Sequence, residues 1–267
     1  MAEIYVPILT YHRIVEGTGG NLAVTPSEFA HQMKGLVEQG YVGVPLADAV
    51  AARAGRLSGQ AGGRGGAWKS YKAFAVTFDH GYADNFRNAF PILKEFGITA
   101  HFFLVTEFVD TQKLLPLPGN PNTDAARDRL MTWDEAMQLK EAGMGIGAMT
   151  ANHVDLASVD AATAADEINQ SRDAIRGFLG DDPSYFSYPF SKLTPPLKEM
   201  VREAGFRGAV YTPTGKTGGL DRFSLRRIGI EPGLSQKAFA FKVSEQADLL
   251  RENPAKYALM KAMGKAY

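Results

Sequence analysis

The chain contains no cysteine. That removes disulfides, thiolate nucleophiles and cysteine-ligated metals, and leaves His, Asp, Glu and Met as candidate ligands. It also lacks an excess of either charge, since 29 Lys and Arg balance 29 Asp and Glu. There is thus no electrostatic footprint for nucleic acid or an anionic membrane surface, and a neutral substrate is the default. No run reaches the ~18 apolar residues that a membrane span needs. The opening MAEIYVPILTYHR is too short and too polar to read as a signal peptide. The compartment stays open: extracytoplasmic if a signal was trimmed, cytoplasmic otherwise. A phosphate-binding loop is missing as well. Gly55 to Ala67 holds six glycines, but without GxxxxGK[ST] or a helix directly after it, the segment reads as a flexible loop.

What is present suffices for a full core. The 267 residues are 45% hydrophobic and 22% charged, as expected for a folded chain, and residues 1–267 show no repeat and no convincing domain boundary. Short β-rich runs alternate with amphipathic stretches, the pattern of helices covering a mainly parallel sheet or barrel. The predicted strands are Ile4–Thr10, Tyr41–Val44, Lys72–Phe78, Ile98–Val105, Met144–Ala148, Tyr185–Tyr188, Phe206–Tyr211 and Leu225–Ile230. Capping boxes at Thr25–Glu28 and Thr132–Glu135 open two helices. Others are expected over Asp84–Phe96, with Phe86, Phe90, Leu93 and Phe96 on one side, over Ala161–Leu179, and after Thr194-Pro195-Pro196. Thr106–Leu130 reads as a long surface connection and a candidate substrate-side loop.

Roughly seven strands with interleaved helices favour a (β/α) barrel of the α/β class over an open doubly wound sheet. Chemistry in such a barrel sits at the strand C-termini, which singles out Thr77–Gly81, Met149–His153, Ser187–Ser191 and the stretch after Tyr211.

These segments carry a resemblance. VPILTYHRI (6–14), AVTFDHGYADN (75–85), AFPILKEFGITAHFFLV (89–105), GIGAMTANHVDLA (145–157) and FSYPFSKLTPPL (186–197) together resemble the polysaccharide deacetylases of carbohydrate esterase family 4. The resemblance covers nearly the whole chain, and the nearest look is to bacterial poly-N-acetylglucosamine and related glycan deacetylases. It implies a distorted (β/α) barrel of about seven strands and metal-dependent removal of N-acetyl groups from amino sugars. In the family's TFDDG motif the first Asp is the general base and the second a metal ligand, and in its HxxxH motif both histidines bind the metal. The resemblance places Asp79 as base and His153 as second histidine. His80 replaces the ligand Asp and Met149 the first ligand His. A third departure is His101, where the family usually has Thr on a strand face inferred to point into the barrel.

On this reading His80, His101 and His153 converge, and three neutral imidazoles hold zinc with a fourth position open. Such a set also suits copper, nickel or cobalt, and a Met149 thioether suits Cu(I). The plain alternative is that His80 and His101 fill space and Met149 packs. The third motif places Pro189 and Phe190 in the groove wall, with the Phe190 N–H as oxyanion donor. Some family members carry an Arg before this motif to orient the base. Here Phe186 or Ser187 occupies that region, so Asp79 lacks that orienter, and Ser191 stands where Gly is common. The family's late histidine acid has no counterpart, because no histidine follows His153. His12 is placed to approach the mouth as a substrate contact or proton donor, or else to make a structural hydrogen bond. Arg226 and Arg227 reach a sugar or pair with Asp221, surface pairing being the commoner outcome. Trp133 either stacks on a sugar ring or anchors packing.

Three functions follow: a metal-dependent deacetylase of N-acetylated glycans, a glycan-binding barrel that has lost hydrolysis, and a natural or engineered variant whose rebuilt histidine site does other chemistry. A carbohydrate is the expected partner in the first two, and the oligomeric state is not read from the sequence.

Overall fold

The computed structural model describes residues 5–17, 20–53, 72–117, 125–213, 221–251 and 255, so the glycine-rich Gly55–Ala67 segment lies outside the described residues. In chain order the elements are β1 (Ile8–Tyr11), β2 (Arg13–Ile14), β3 (Ala23–Val24), α1 (Pro26–Glu38), β4 (Tyr41–Gly43), α2 (Leu46–Arg53) and β5 (Lys72–Phe78). A π-helical turn over Asn85–Ala89 leads into α3 (Phe90–Glu95), followed by β6 (Ala100–Leu104), α4 (Ala125–Asp128), α5 (Trp133–Glu141) and β7 (Gly145–Ala148). The rest comprises α6 (Ala161–Leu179), β8 (Tyr185–Ser187), α7 (Pro195–Glu203), β9 (Gly208–Tyr211), β10 (Leu225–Arg226), β11 (Ile228–Gly229), α8 (Gln236–Lys242) and α9 (Glu245–Arg251).

Local chemistry sets the helix starts. Thr25 and Thr132 each accept the N–H of a glutamate three residues on, and the glutamate side chain returns to the cap N–H, closing both expected capping boxes. Asp160 and Thr194 cap α6 and α7 through their side chains. The helix expected over Asp84–Phe96 is instead split. Pro91 has no N–H to offer the carbonyl four residues back, and the turn before it widens to the π form.

The strands lie in the order β10-β9-β8-β7-β6-β5-β1-β11, with β4 on β5, and every pairing is parallel. The expected last strand is two short ones. β10 leans on β9, the Arg227 N–H bonds to Tyr211 O, and β11 leans on β1. One extended run thereby touches both edges of the sheet and nearly closes it into a barrel with surrounding helices. Six strands plus this closing run make seven staves, as the sequence suggested.

Alternation divides the staves between two layers. Leu9, Val76, Phe78, Phe102, Leu104 and Phe186 face outward into the layer shared with Phe29, Leu93, Leu139 and Ile168 of the helices. The Phe78 and Phe102 rings stack at 4.8 Å, and full burial of each such ring contributes about 1.5–3 kcal/mol. Ile8, Ala73, Ala75, Phe103, Tyr185 and Val210 form the inner cluster. The inner face also carries the polar side chains that matter below. Among the described residues no helix is long and apolar enough to cross a membrane.

Candidate active site at the C-terminal mouth of the barrel

Asp79 follows the last residue of β5 and is anchored by its N–H to Tyr11 O at 3.0 Å. Its carboxylate is gripped by Arg227, Nη1 to Oδ1 at 2.7 Å and Nη2 to Oδ2 at 2.6 Å. Arg227 also donates to Thr77 Oγ1 and Ser187 Oγ, and the Ser187 hydroxyl donates to Asp79 Oδ1. Burial alone would raise the Asp79 pKa. The Arg227 charge and its hydrogen bonds outweigh that and hold the group below the ordinary carboxylate range, so Asp79 is ionised at neutral pH. The sequence reading of Arg227 as a surface charge paired with Asp221 is thus corrected. Asp221 pairs with Lys198, Arg226 pairs with Asp248, and Arg227 is buried on Asp79 as the orienter thought missing. The signal was present: in an alternating run 227 shares a face with Leu225, which lies in the inner cluster.

After Asp79 the chain turns through His80 (φ 75°) and Gly81 (φ 79°). A Cβ at Gly81 would come within 2.6 Å of Leu104 Cδ2. The turn aims the His80 ring at His153, Nε2 to Nε2 at 3.1 Å. His153 sits in a loop held by α6: buried Glu167 accepts the backbone and side-chain N–H groups of Asn152, and Thr150 Oγ1 accepts the His153 N–H. Sequence reasoning did not find Glu167, since a lone Glu on a helix reads as a solvated charge.

Burial lowers the pKa of His80 well below its ordinary value, and the charges of His153, His12 and Arg227 act in the same direction. His153 is pushed down to about 4, again by burial, with Asp79 opposing. His12, its ring centroid 5.2 Å from that of His80, is lowered by burial against the pull of Asp79. At neutral pH the three imidazoles are uncharged.

Phe190 closes one side. It and Ser191 both have φ of 55°, in the left-handed region that costs a side chain about 1–3 kcal/mol. The turn is held by Ser191 Oγ, which accepts the Thr212 N–H. The Phe190 ring, 43% exposed, lies 4.7 Å from that of His153. His80, Thr150, His153, Phe190 and Ser191 are five of the six non-glycine residues with positive φ, so backbone strain among the described residues gathers at this mouth.

The expected convergence of His101 with His80 and His153 does not occur. His101 does face the barrel interior, but it is the second residue of β6, paired in register with Thr77 of β5 and with Gly145, the first residue of β7. Its ring fills the space left by two glycines. A Cβ at Gly145 would meet Nδ1 at 2.0 Å, and one at Gly147 would meet Nε2 at 2.7 Å. Phe103 and Tyr185 flank it, and burial, with Arg227 adding, pushes its pKa down to about 3. Met149 is buried in the inner apolar cluster with Tyr82, Phe103 and Val105. Trp133 is a packing anchor, 8% exposed beneath the Phe178 ring. Beside the mouth, Arg13 is buried on the Tyr82 ring and paired with Asp84 and Asp128, tying the long connection to the barrel.

A family-type metal ion asks for three protein ligands around an open position. The mouth offers two imidazoles. Both oxygens of Asp79 are engaged by Arg227, and no group of three His, Asp or Glu able to hold an ion occurs among the described residues. The donor set does not fit such a metal.

A family model for polysaccharide deacetylase matches residues 68–209. YxkH of Bacillus subtilis strain 168, a protein assigned to the polysaccharide deacetylases, is 24% identical over 235 residues, 88% of this chain and 74% of that one. Among solved structures, the Streptococcus pyogenes deacetylase PplD in complex with acetate superposes with a TM-score of 0.73 at 22% identity, over 91% of this chain and 100% of that one. IcaB from Ammonifex degensii does so with a TM-score of 0.68 at 23% identity, over 90% and 97%. These two likenesses bear on the fold.

Proposed function

Because the chain belongs to the polysaccharide deacetylase family, a family of hydrolases acting on the acetyl groups of carbohydrates, we propose that its barrel mouth takes an N-acetylated amino sugar or N-acetylglucosamine-containing glycan and hydrolyses the acetyl group. One observation carries the reading: a carboxylate, Asp79, is kept ionised and aimed by a bidentate arginine at the strand C-termini, beside uncharged imidazoles.

In this mechanism water attacks the acetyl carbonyl and Asp79 accepts its proton. The Phe190 N–H, presented by the left-handed turn, donates to the oxyanion. The C–N bond then breaks to give acetate and the sugar amine, the departing nitrogen taking up the proton that Asp79 accepted from water, with the uncharged imidazole of His12 assigned to pass it on. The exposed Phe190 ring lies along the sugar. Arg227 touches no substrate and is a positioning residue for Asp79. The zinc dependence expected from the resemblance does not enter, since the mouth supplies two of the three ligands.

The test is acetate release from chitooligosaccharide and from poly-N-acetylglucosamine. Wild type should release acetate and Asp79→Asn, which keeps the side-chain shape, should not; equal release by both would overturn the assignment of the base. The presence of His80 and Met149 where the family has ligands favours a second reading, glycan binding without hydrolysis. Calorimetric binding of the same oligosaccharides without acetate release would select it.

A further inference from the structure

We infer that this chain carries no resident metal ion at the mouth of its barrel, and that the hydrogen-bonded His80–His153 pair stands in the ion's place as a neutral, proton-sharing dyad. The spacing alone is not decisive. Two imidazole nitrogens about 2.0–2.1 Å from one zinc ion lie roughly 3.3 Å apart, close to the 3.1 Å between the two Nε2 atoms. Donor count, proton count and charge decide.

The pair is short of ligands. Of the five histidines in the chain, His101 lies near the start of β6 among Gly145, Gly147 and Tyr185. His31 is on α1 with Nδ1 against Ser27 O, and the His12 ring is tilted by 37° against that of His80 with centroids 5.2 Å apart. Both oxygens of Asp79 already face the Arg227 guanidinium, which sets the carboxylate's orientation.

The protons point the same way. Nδ1 of His80 and Nδ1 of His153 are both buried with no hydrogen-bond partner. If both Nε2 atoms held an ion, both Nδ1 atoms would have to carry hydrogen, leaving two buried donors unmet. Histidine ligands ordinarily pass that proton to a carboxylate or carbonyl, and neither does here. In the dyad one Nε2–H donates to the other Nε2, so only one Nδ1 carries an unmet hydrogen and the other is a bare acceptor. Charge adds a third objection. A dication here would join the Arg227 guanidinium with Asp79 as the nearby carboxylate, so the buried site would hold an uncompensated positive charge.

The experiment uses the full chain, purified without a metal-affinity tag. Elemental analysis after dialysis against zinc, nickel, cobalt or copper should find no stoichiometric ion in wild type, and imidazole nitrogen NMR should show one proton shared between two neutral rings. The double variant His80→Asp with Met149→His supplies a carboxylate and a third donor and should take up one zinc per chain. One ion per wild-type chain, lost in His153→Ala, would overturn the inference, as would a folded double variant that binds no zinc. The wild-type measurements decide even if the double variant does not fold. Acetate release is a separate readout: its complete absence counts against the proposed hydrolysis and leaves the metal result intact, and where it occurs a chelator should not reduce it.

Discussion

The two ends of the barrel interior each bury polar side chains and solve the problem differently. At the C-terminal mouth, Asp79, Arg227, Ser187 and Thr77 satisfy one another through charged hydrogen bonds, and the surrounding backbone is held in left-handed turns. Near the start of β6, His101 has no charged partner and is accommodated by two glycines on β7. Strain and charge mark the end where a substrate would be handled, and shape complementarity marks the end that holds the barrel together. A histidine on a barrel strand is therefore no pointer to chemistry until its level along the strand is known.

The largest effect that would break this comparison is at the mouth. Arg227→Met leaves Asp79 buried and unpaired, and should cost about 3–5 kcal/mol in urea unfolding; a loss below about 1 kcal/mol would mean that the pair is not buried in solution. At the other end, Gly145→Ala drives a methyl group into the His101 ring and should cost about 1–3 kcal/mol. His101→Ala in the same chain should recover most of that loss, and additive losses would show that the ring does not occupy the glycine cradle.

The third prediction concerns acid. Unfolded histidine protonates near 6.5, whereas His153 and His101 in the fold protonate at about 4 and about 3. Between these values the unfolded chain binds more protons. Stability is therefore full above about pH 6.5 and falls as the pH drops toward 4, by up to about 1.4 kcal/mol per pH unit for each buried imidazole. His101→Gln should lower the slope over the whole interval from about pH 6.5 to about 3 when unfolding is followed against pH, and an unchanged slope would count against a neutral buried His101. The smallest effect is at Phe190. Phe190→Ala should shift stability by less than about 0.5 kcal/mol while raising KM for a glycan more than it lowers kcat, because the backbone donor remains.

Much of the fold was legible. Lys72–Phe78 and Ala161–Leu179 coincide with β5 and α6, and both capping boxes close as expected, because these features are local. The levels of residues along the staves were not legible. Alternation gives the face a side chain takes, and correctly turned His101 inward, but strand register decides which histidines meet, and register is set by pairing with distant strands. Arg227 escaped for a related reason: alternation puts it on the inner face with Leu225, but its partner lies 148 residues earlier, and nothing local names a partner that far away in the chain. Asp79, His80 and His153 were singled out because they fall in segments that follow readable strand ends and stand at positions of the family motifs that the resemblance supplies.

The closing run has a consequence for synthesis. The residue that grips Asp79 lies between β10 and β11, the last two segments to join the sheet. A nascent chain that has emerged only through β9 has the other staves but no counter-charge for the carboxylate among them. Enclosing that group early is unfavourable, so the interior should stay hydrated and open until residues 225–229 leave the ribosome, making completion of the barrel and assembly of the Asp79–Arg227 pair a single late event.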